Sequence, residues 1–122
     1  MTANQFRRMA LSFPEVEERA HMQHPDFRVG GKVFATLGYP DKSSGMVRLT
    51  PEQQRFYVQA HPTVFVPAAG AWGRQGSTLV RLKTADAEVV REAMKEAWLG
   101  RAPRALIQGL RAGGSQHRPP SP

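Results

Sequence analysis

The sequence predicts an α+β domain, an antiparallel sheet with helices packed on one face. Three observations carry this. Strand-like segments fall between residues 27 and 83, helical patterns flank that block, and Gly30-Gly31 separates two apolar runs. Glycine at both central positions supplies the positive φ that a two-residue hairpin turn requires.

The elements follow in order. Residues 3–11 form a short helix, capped by Thr2, with Phe6, Met9 and Ala10 at helical spacing, and Pro14 stops it. Residues 17–23 form a poorly alternating strand. Phe27-Arg28-Val29 and Lys32 to Leu37 are the arms of the hairpin. Residues 45–49 and 77–83 are two further strands, and a short one runs through Val64-Phe65-Val66 to Pro67. Thr50-Pro51-Glu52-Gln53 starts a helix: Thr50 caps, Pro51 takes the first helical position, and Gln53 completes a capping box. That helix runs to Ala60 and turns Phe56, Tyr57 and Ala60 inward. A helix over 86–99 carries Asp86 and Glu88 in its first turn, buries Val90, Met94, Ala97 and Trp98, and ends at Gly100. Pro103 opens a last helix with Leu106, Ile107 and Leu110 inside.

Directly opposed residues of a hairpin point the same way. A two-residue turn at Gly30-Gly31 therefore pairs Phe27 with Phe34 and Val29 with Lys32, on the covered side. It puts Arg28, Val33, Ala35 and Leu37 on the other. The open face then gathers Arg28, Arg48, Arg81 and Lys83 among Val33, Leu37, Met46 and Leu79. A three-residue loop with a bulge would instead move Val33, Ala35 and Leu37 inward.

The 122 residues fit one domain, expected over residues 1–112, with a disordered Gly-, Ser- and Pro-rich tail over 113–122. The chain has no cysteine, which excludes disulfides, thiolate metal sites and thiol nucleophiles. No apolar run is long enough to span a membrane, and Arg7, Arg8, Glu15, Glu17 and Glu18 argue against a secretory signal. A cytoplasmic protein, favoured as a monomer, is expected. The net charge is +7, and residues 27–83 hold 8 basic against 2 acidic groups. Such a balance steers anionic partners toward the chain.

Chemistry is sparse. The histidines are His21, His24, His61 and His117, with no His-x-x-x-His pair and no carboxylate cluster beside them, so no metal site is expected. His21 and His24, read as one strand, fall on opposite faces. The serines lack a nucleophile-elbow context, so no catalytic residue is assigned and the chain is not read as an enzyme. Gly70 to Thr78 is Gly-rich with Arg74 and two hydroxyls, a weak phosphate-loop pattern without the Lys and following helix of a P-loop. Basic residues alternate with aromatics at Phe27-Arg28, Lys32-Val33-Phe34, Arg55-Phe56-Tyr57 and Trp72-Gly73-Arg74, as backbone contact and base stacking require.

The stretch His24-Pro25-Asp26-Phe27-Arg28-Val29-Gly30-Gly31-Lys32-Val33-Phe34-Ala35 resembles the signature of the MmcQ/YjbR family. So do Ala10 to Glu18, Leu49 to Gln53, Phe65-Val66-Pro67, Trp72 to Gly76, and Trp98 with Ala102-Pro103-Arg104. The resemblance spans about residues 3–107. Ser77 departs from it, since many members carry an aromatic there. The resemblance implies a frataxin-related α+β fold and, by analogy with a double-wing arrangement, DNA binding. The frataxin relation also suggests iron. The first helix, however, carries Arg7 and Arg8 and no carboxylate through Leu11, so iron delivery is not expected.

The sequence therefore predicts weak, largely non-specific DNA contact through Arg28, Lys32, Arg48, Arg74, Arg81 and Lys83, without cofactor. The alternatives are a protein partner or a small anionic ligand on the same face.

Overall fold

A computed structural model describes residues 1–21 and 23–117. Its elements are α1 (Ala3–Leu11), β1 (Val16–His21), β2 (His24–Val29), β3 (Lys32–Leu37), β4 (Ser44–Arg48), α2 (Pro51–Ala60), β5 (Phe65–Pro67), α3 (Gly70–Arg74), β6 (Ser77–Arg81), a 3-10 turn at Leu82–Thr84, α4 (Ala87–Arg101) and α5 (Arg104–His117). The strands form one sheet in the order β1-β2-β3-β4-β6-β5, antiparallel throughout. The α+β class read from the sequence is the observed one.

The two best-signalled helix starts arise from local chemistry. Thr2 Oγ1 accepts from the Gln5 backbone N–H at 3.0 Å while Gln5 Oε1 accepts from the Thr2 N–H at 2.8 Å. Thr50 and Gln53 repeat the box at the head of α2, at 3.0 and 3.1 Å. Each box satisfies two helix-end donors that would otherwise lack partners.

The covered face carries Phe27, Val29, Ala35, Leu37, Val47, Val80 and Phe65, all buried. Over it lie Phe6, Met9 and Ala10 of α1, Tyr57 of α2, and Val90, Ala93, Met94, Ala97 and Trp98 of α4. Gly45 is small because the Phe6 ring occupies the space: a Cβ there would meet Phe6 Cε2 at 2.7 Å. Phe13 stacks on Trp98 and stands edge-on to Phe34, each at 6.3 Å. The Trp98 indole donates to the Pro14 carbonyl at 3.1 Å, so the only N–H of this buried ring is satisfied.

The hairpin differs from both registers considered for it. Its turn has two residues, with φ of 57° at Gly30 and 80° at Gly31, and it pairs Val29 with Lys32 and Arg28 with Val33. The register then shifts, and Phe27 opposes Ala35 rather than Phe34. The extra residue on β3 lets the consecutive Phe34 and Ala35 both be fully buried. Ala35 and Leu37 are thus inside, not on the open face, while Val33 stays outside. Burial of a phenylalanine ring outweighs one irregular step in the ladder.

Other expectations are corrected in the same way. Phe56 is 63% exposed and Ala60 is exposed; α2 buries Gln54 and Tyr57 instead. Leu110 is exposed at 44%. Helix α4 runs through Gly100 to Arg101. Residues His21 and His24 are not on one strand but oppose each other across the β1–β2 turn. Helix α5 spans Arg104–His117, and residues 118–122 of the expected tail lie outside the described residues. No helix among the described residues is long and apolar enough to cross a membrane.

Candidate nucleic-acid interface

The uncovered face can be read directly from the register. One row crosses the sheet as Arg19, Asp26, Thr36, Met46, Leu79 and Val66. Beside it lie Glu17, Arg28 and Val33, then Arg48 opposite Ser77, and at the far end Ser44 opposite Arg81. Thr36, Met46, Leu79 and Val66 are half-buried, which makes a mostly apolar floor. Three of the six sequence-predicted basic residues, Arg28, Arg48 and Arg81, therefore share this face.

The other three do not. Lys32 is exposed at the hairpin turn, and Arg74 is exposed on α3. Strand β6 ends at Arg81, and Lys83 lies in the 3-10 turn that buries Leu82. The strand stops there because Leu82 enters the core, which takes Lys83 off the ladder.

The three arginines on the face are not equivalent. Arg28 donates from Nε to Asp26 Oδ1 at 3.0 Å and from Nη2 to Asp26 Oδ2 at 3.1 Å. This hydrogen-bonded charge pair, helped by Glu17, raises the Arg28 pKa above its ordinary value. Arg19 is likewise paired with Glu17 at 2.9 Å. Arg48 donates from Nη1 to Ser77 Oγ at 2.9 Å, a neutral partner that holds the guanidinium and leaves its charge uncompensated. Arg81 is exposed and makes no ion pair among the described residues. Arg48 and Arg81 are about 13 Å apart along the sheet, from four residues of strand rise.

The Gly-rich stretch serves packing. A Cβ on Gly73 would lie 1.7 Å from the Ala68 carbonyl oxygen, and one on Gly76 would lie 1.9 Å from that of Leu49. Gln54 closes this corner from α2. Its Nε2 reaches Gly73 O at 2.9 Å, Ser77 O at 3.0 Å and Thr78 Oγ1 at 3.2 Å, all buried. The glycines admit close backbone contact rather than an anion. Trp72, beside them, is 65% exposed. Phe27 and Phe34 are core residues; of the aromatics that alternate with basic residues, Trp72 and Phe56 are exposed.

Two basic residues escaped the sequence reading: Arg19, held on the face by Glu17, and Arg101. Arg101, at the end of α4, comes close enough to Arg48 that burial, and then the Arg48 charge, lower its pKa. No local pattern announces this, because Arg48 and Arg101 meet only in the folded chain. Among the described residues, no three His, Cys, Asp or Glu side chains gather as a metal site would require.

The family model described as YjbR matches residues 11–99. The fold is similar to the crystal structure of Deinococcus radiodurans protein DR2400, a DUF419 domain, with a TM-score of 0.68. The two sequences are 21% identical, and the match covers 80% of this chain and 76% of that one. A search of curated proteins finds no match.

Proposed function

From the premise that the chain belongs to the YjbR family, we propose that its uncovered sheet face makes weak contact with the backbone of duplex DNA. The observation that carries this is the pair Arg48 and Arg81. Both lie on one face, and neither meets a carboxylate among the described residues. The net charge of +7 supplies the long-range attraction. Arg28 contributes less than its position suggests, because Asp26 already neutralises it. Lys32, Arg74 and Lys83 act from the periphery. Among the described residues the face offers no base-reading motif, so contact is with phosphates and sequence discrimination is small. The reading assigns the chain no catalytic step and no cofactor.

The test is a fluorescence-anisotropy titration of a short labelled duplex at several salt concentrations. Two phosphate contacts give a log–log salt slope of about −1.8, and additional peripheral contacts steepen it. Replacing Arg48 and Arg81 together with Ala should flatten the slope by about 1.8. Absence of binding at low salt, or a double variant that behaves as wild type, refutes the proposal.

The half-buried Val33, Met46 and Leu79 favour a second reading, a protein partner docked on the same face with the arginines as its rim. A single protein captured by pull-down, retained after nuclease treatment and lost on Met46→Glu, would select it.

A further inference from the structure

We propose that the cleft between Arg48 and Arg101 is a binding site for a phosphate monoester. The cleft has a volume of about 460 Å³ and opens at the seam between the sheet and the end of α4. Arg48 and Arg101 line it together with Thr50, Gln53, Gln75 and Glu96. Both arginines are half-buried, and neither has a carboxylate within 4.0 Å among the described residues.

Two like charges brought together out of bulk water repel one another and lose hydration, and an arginine cannot relieve this by giving up its proton. The Arg101 pKa is lowered by burial and by Arg48, which records that cost. An anion between the two groups removes it. Ser77 Oγ takes one donor of Arg48 at 2.9 Å and so fixes the guanidinium, while the remaining donors of both forks have no partner among the described residues.

The charge count selects the ligand. Two guanidiniums balance the dianion of a monoester, whereas a backbone diester carries a single charge. A site of this size also holds more than a bare phosphate. Glu96 also lines the cleft but lies beyond 4.0 Å from both guanidiniums and pairs with neither. Its Oε2 accepts from Gln53 Nε2 at 3.3 Å, and with Thr50 it provides acceptors for hydroxyl or amino donors on the organic part of the ester. The monoester can belong to a free small molecule or to a phosphorylated strand end; the chemistry recognised is the same.

The site shares Arg48 with the DNA face proposed above, but Arg101 lies on α4, outside that face, so the two can fail separately. Inorganic phosphate is titrated into ¹⁵N-labelled protein at constant ionic strength, with chloride as the balancing anion. Saturable shifts are expected at the amides of Thr50, Gln75, Gly100 and Arg101. Arg101→Gln should weaken binding by roughly tenfold or more, the scale of one lost charge-assisted hydrogen bond. Gln75→Glu, at an exposed position, places a carboxylate in the cleft and should weaken it comparably, while Arg81→Gln should leave it unchanged. Duplexes with 5′-phosphate and 5′-hydroxyl ends identify the source. A preference for the phosphorylated end that Arg101→Gln removes marks a strand end, and equal binding of the two marks a small molecule. Phosphate shifts that do not saturate, or folded Arg101→Gln and Gln75→Glu variants that bind as wild type, overturn the proposal whatever the duplex result.

Discussion

Arg28 and Asp26 form a two-point fork along a single strand, at 3.0 and 3.1 Å, with Asp26 only 5% exposed. Residues two apart on a strand point the same way, so β2 supplies its own counter-charge. Arg28→Gln should therefore leave the DNA salt slope close to wild type. It should lower the thermal midpoint, because the Asp26 carboxylate loses its partner in a place where water is scarce. Adding Asp26→Asn should recover much of that loss. Melting curves of the two single variants and the double variant test the coupling.

Glycine positions give predictions of opposite sign. Gly76 has φ of 114°, and a Cβ there would sit 1.9 Å from the Leu49 carbonyl oxygen. Gly76→Ala should cost about 3 kcal/mol or more, since backbone must move on both sides of the contact. Gly100 lies in α4, and a Cβ added there would meet nothing within 4 Å. Gly100→Ala should stabilise by about 0.5–1 kcal/mol through helix propensity. Urea denaturation of both variants measures the difference.

Gln54 ties α2 to the α3–β6 corner through three acceptors. Two of them have a second donor: Gly73 O accepts from the Gly76 N–H at 3.1 Å and Ser77 O from the Ala68 N–H at 2.9 Å. Gln54→Leu should thus cost about 1–2 kcal/mol rather than the full penalty of orphaned carbonyls. Chemical denaturation gives the value, and faster amide exchange at Gly73 and Gly76 locates it.

Burial, then the charges of Glu96 and Glu92, raise the Tyr57 pKa. The folded state therefore favours the protonated phenol. This contribution to stability is complete below the unfolded pKa of about 10 and is lost as pH rises through the folded value. Tyr57→Phe should remove that part of the alkaline destabilisation. Denaturation of wild type and variant at neutral and at alkaline pH compares the slopes; a variant with the wild-type alkaline loss would refute the assignment.

Much of the fold is legible locally. The bounds of α1 and α2 follow from Thr2, Thr50, Pro51 and Gln53, and the buried stripe of α4 from Val90, Met94, Ala97 and Trp98. The Gly30-Gly31 turn has the two-residue length that its glycines predict. Apolar character alone puts Phe56 inside, whereas in the fold Gln54 holds the inward position by satisfying backbone carbonyls. Of the candidate site, Arg28, Arg48 and Arg81 share one face as the strand alternation implies. The neutralisation of Arg28 is absent from the sequence reading, although its i, i+2 spacing from Asp26 is visible in the chain.

Local chemistry sets the elements whose energetics close within a few residues: caps that join position i to i+3, a turn that needs positive φ, and a stripe that repeats each helical turn. Long-range packing sets whatever depends on partners far along the chain. The bulge at Phe34 exists because the core accepts both Phe34 and Ala35, which only the helices above them make possible. Lys83 left the sheet because Leu82 is drawn into that core. Arg48 and Arg101, more than fifty residues apart, line one cleft because α4 packs against β3 and β4 and its last turn lies beside the end of β4. Packing of large side chains set those positions, and the charges were carried along with the backbone that packing fixed.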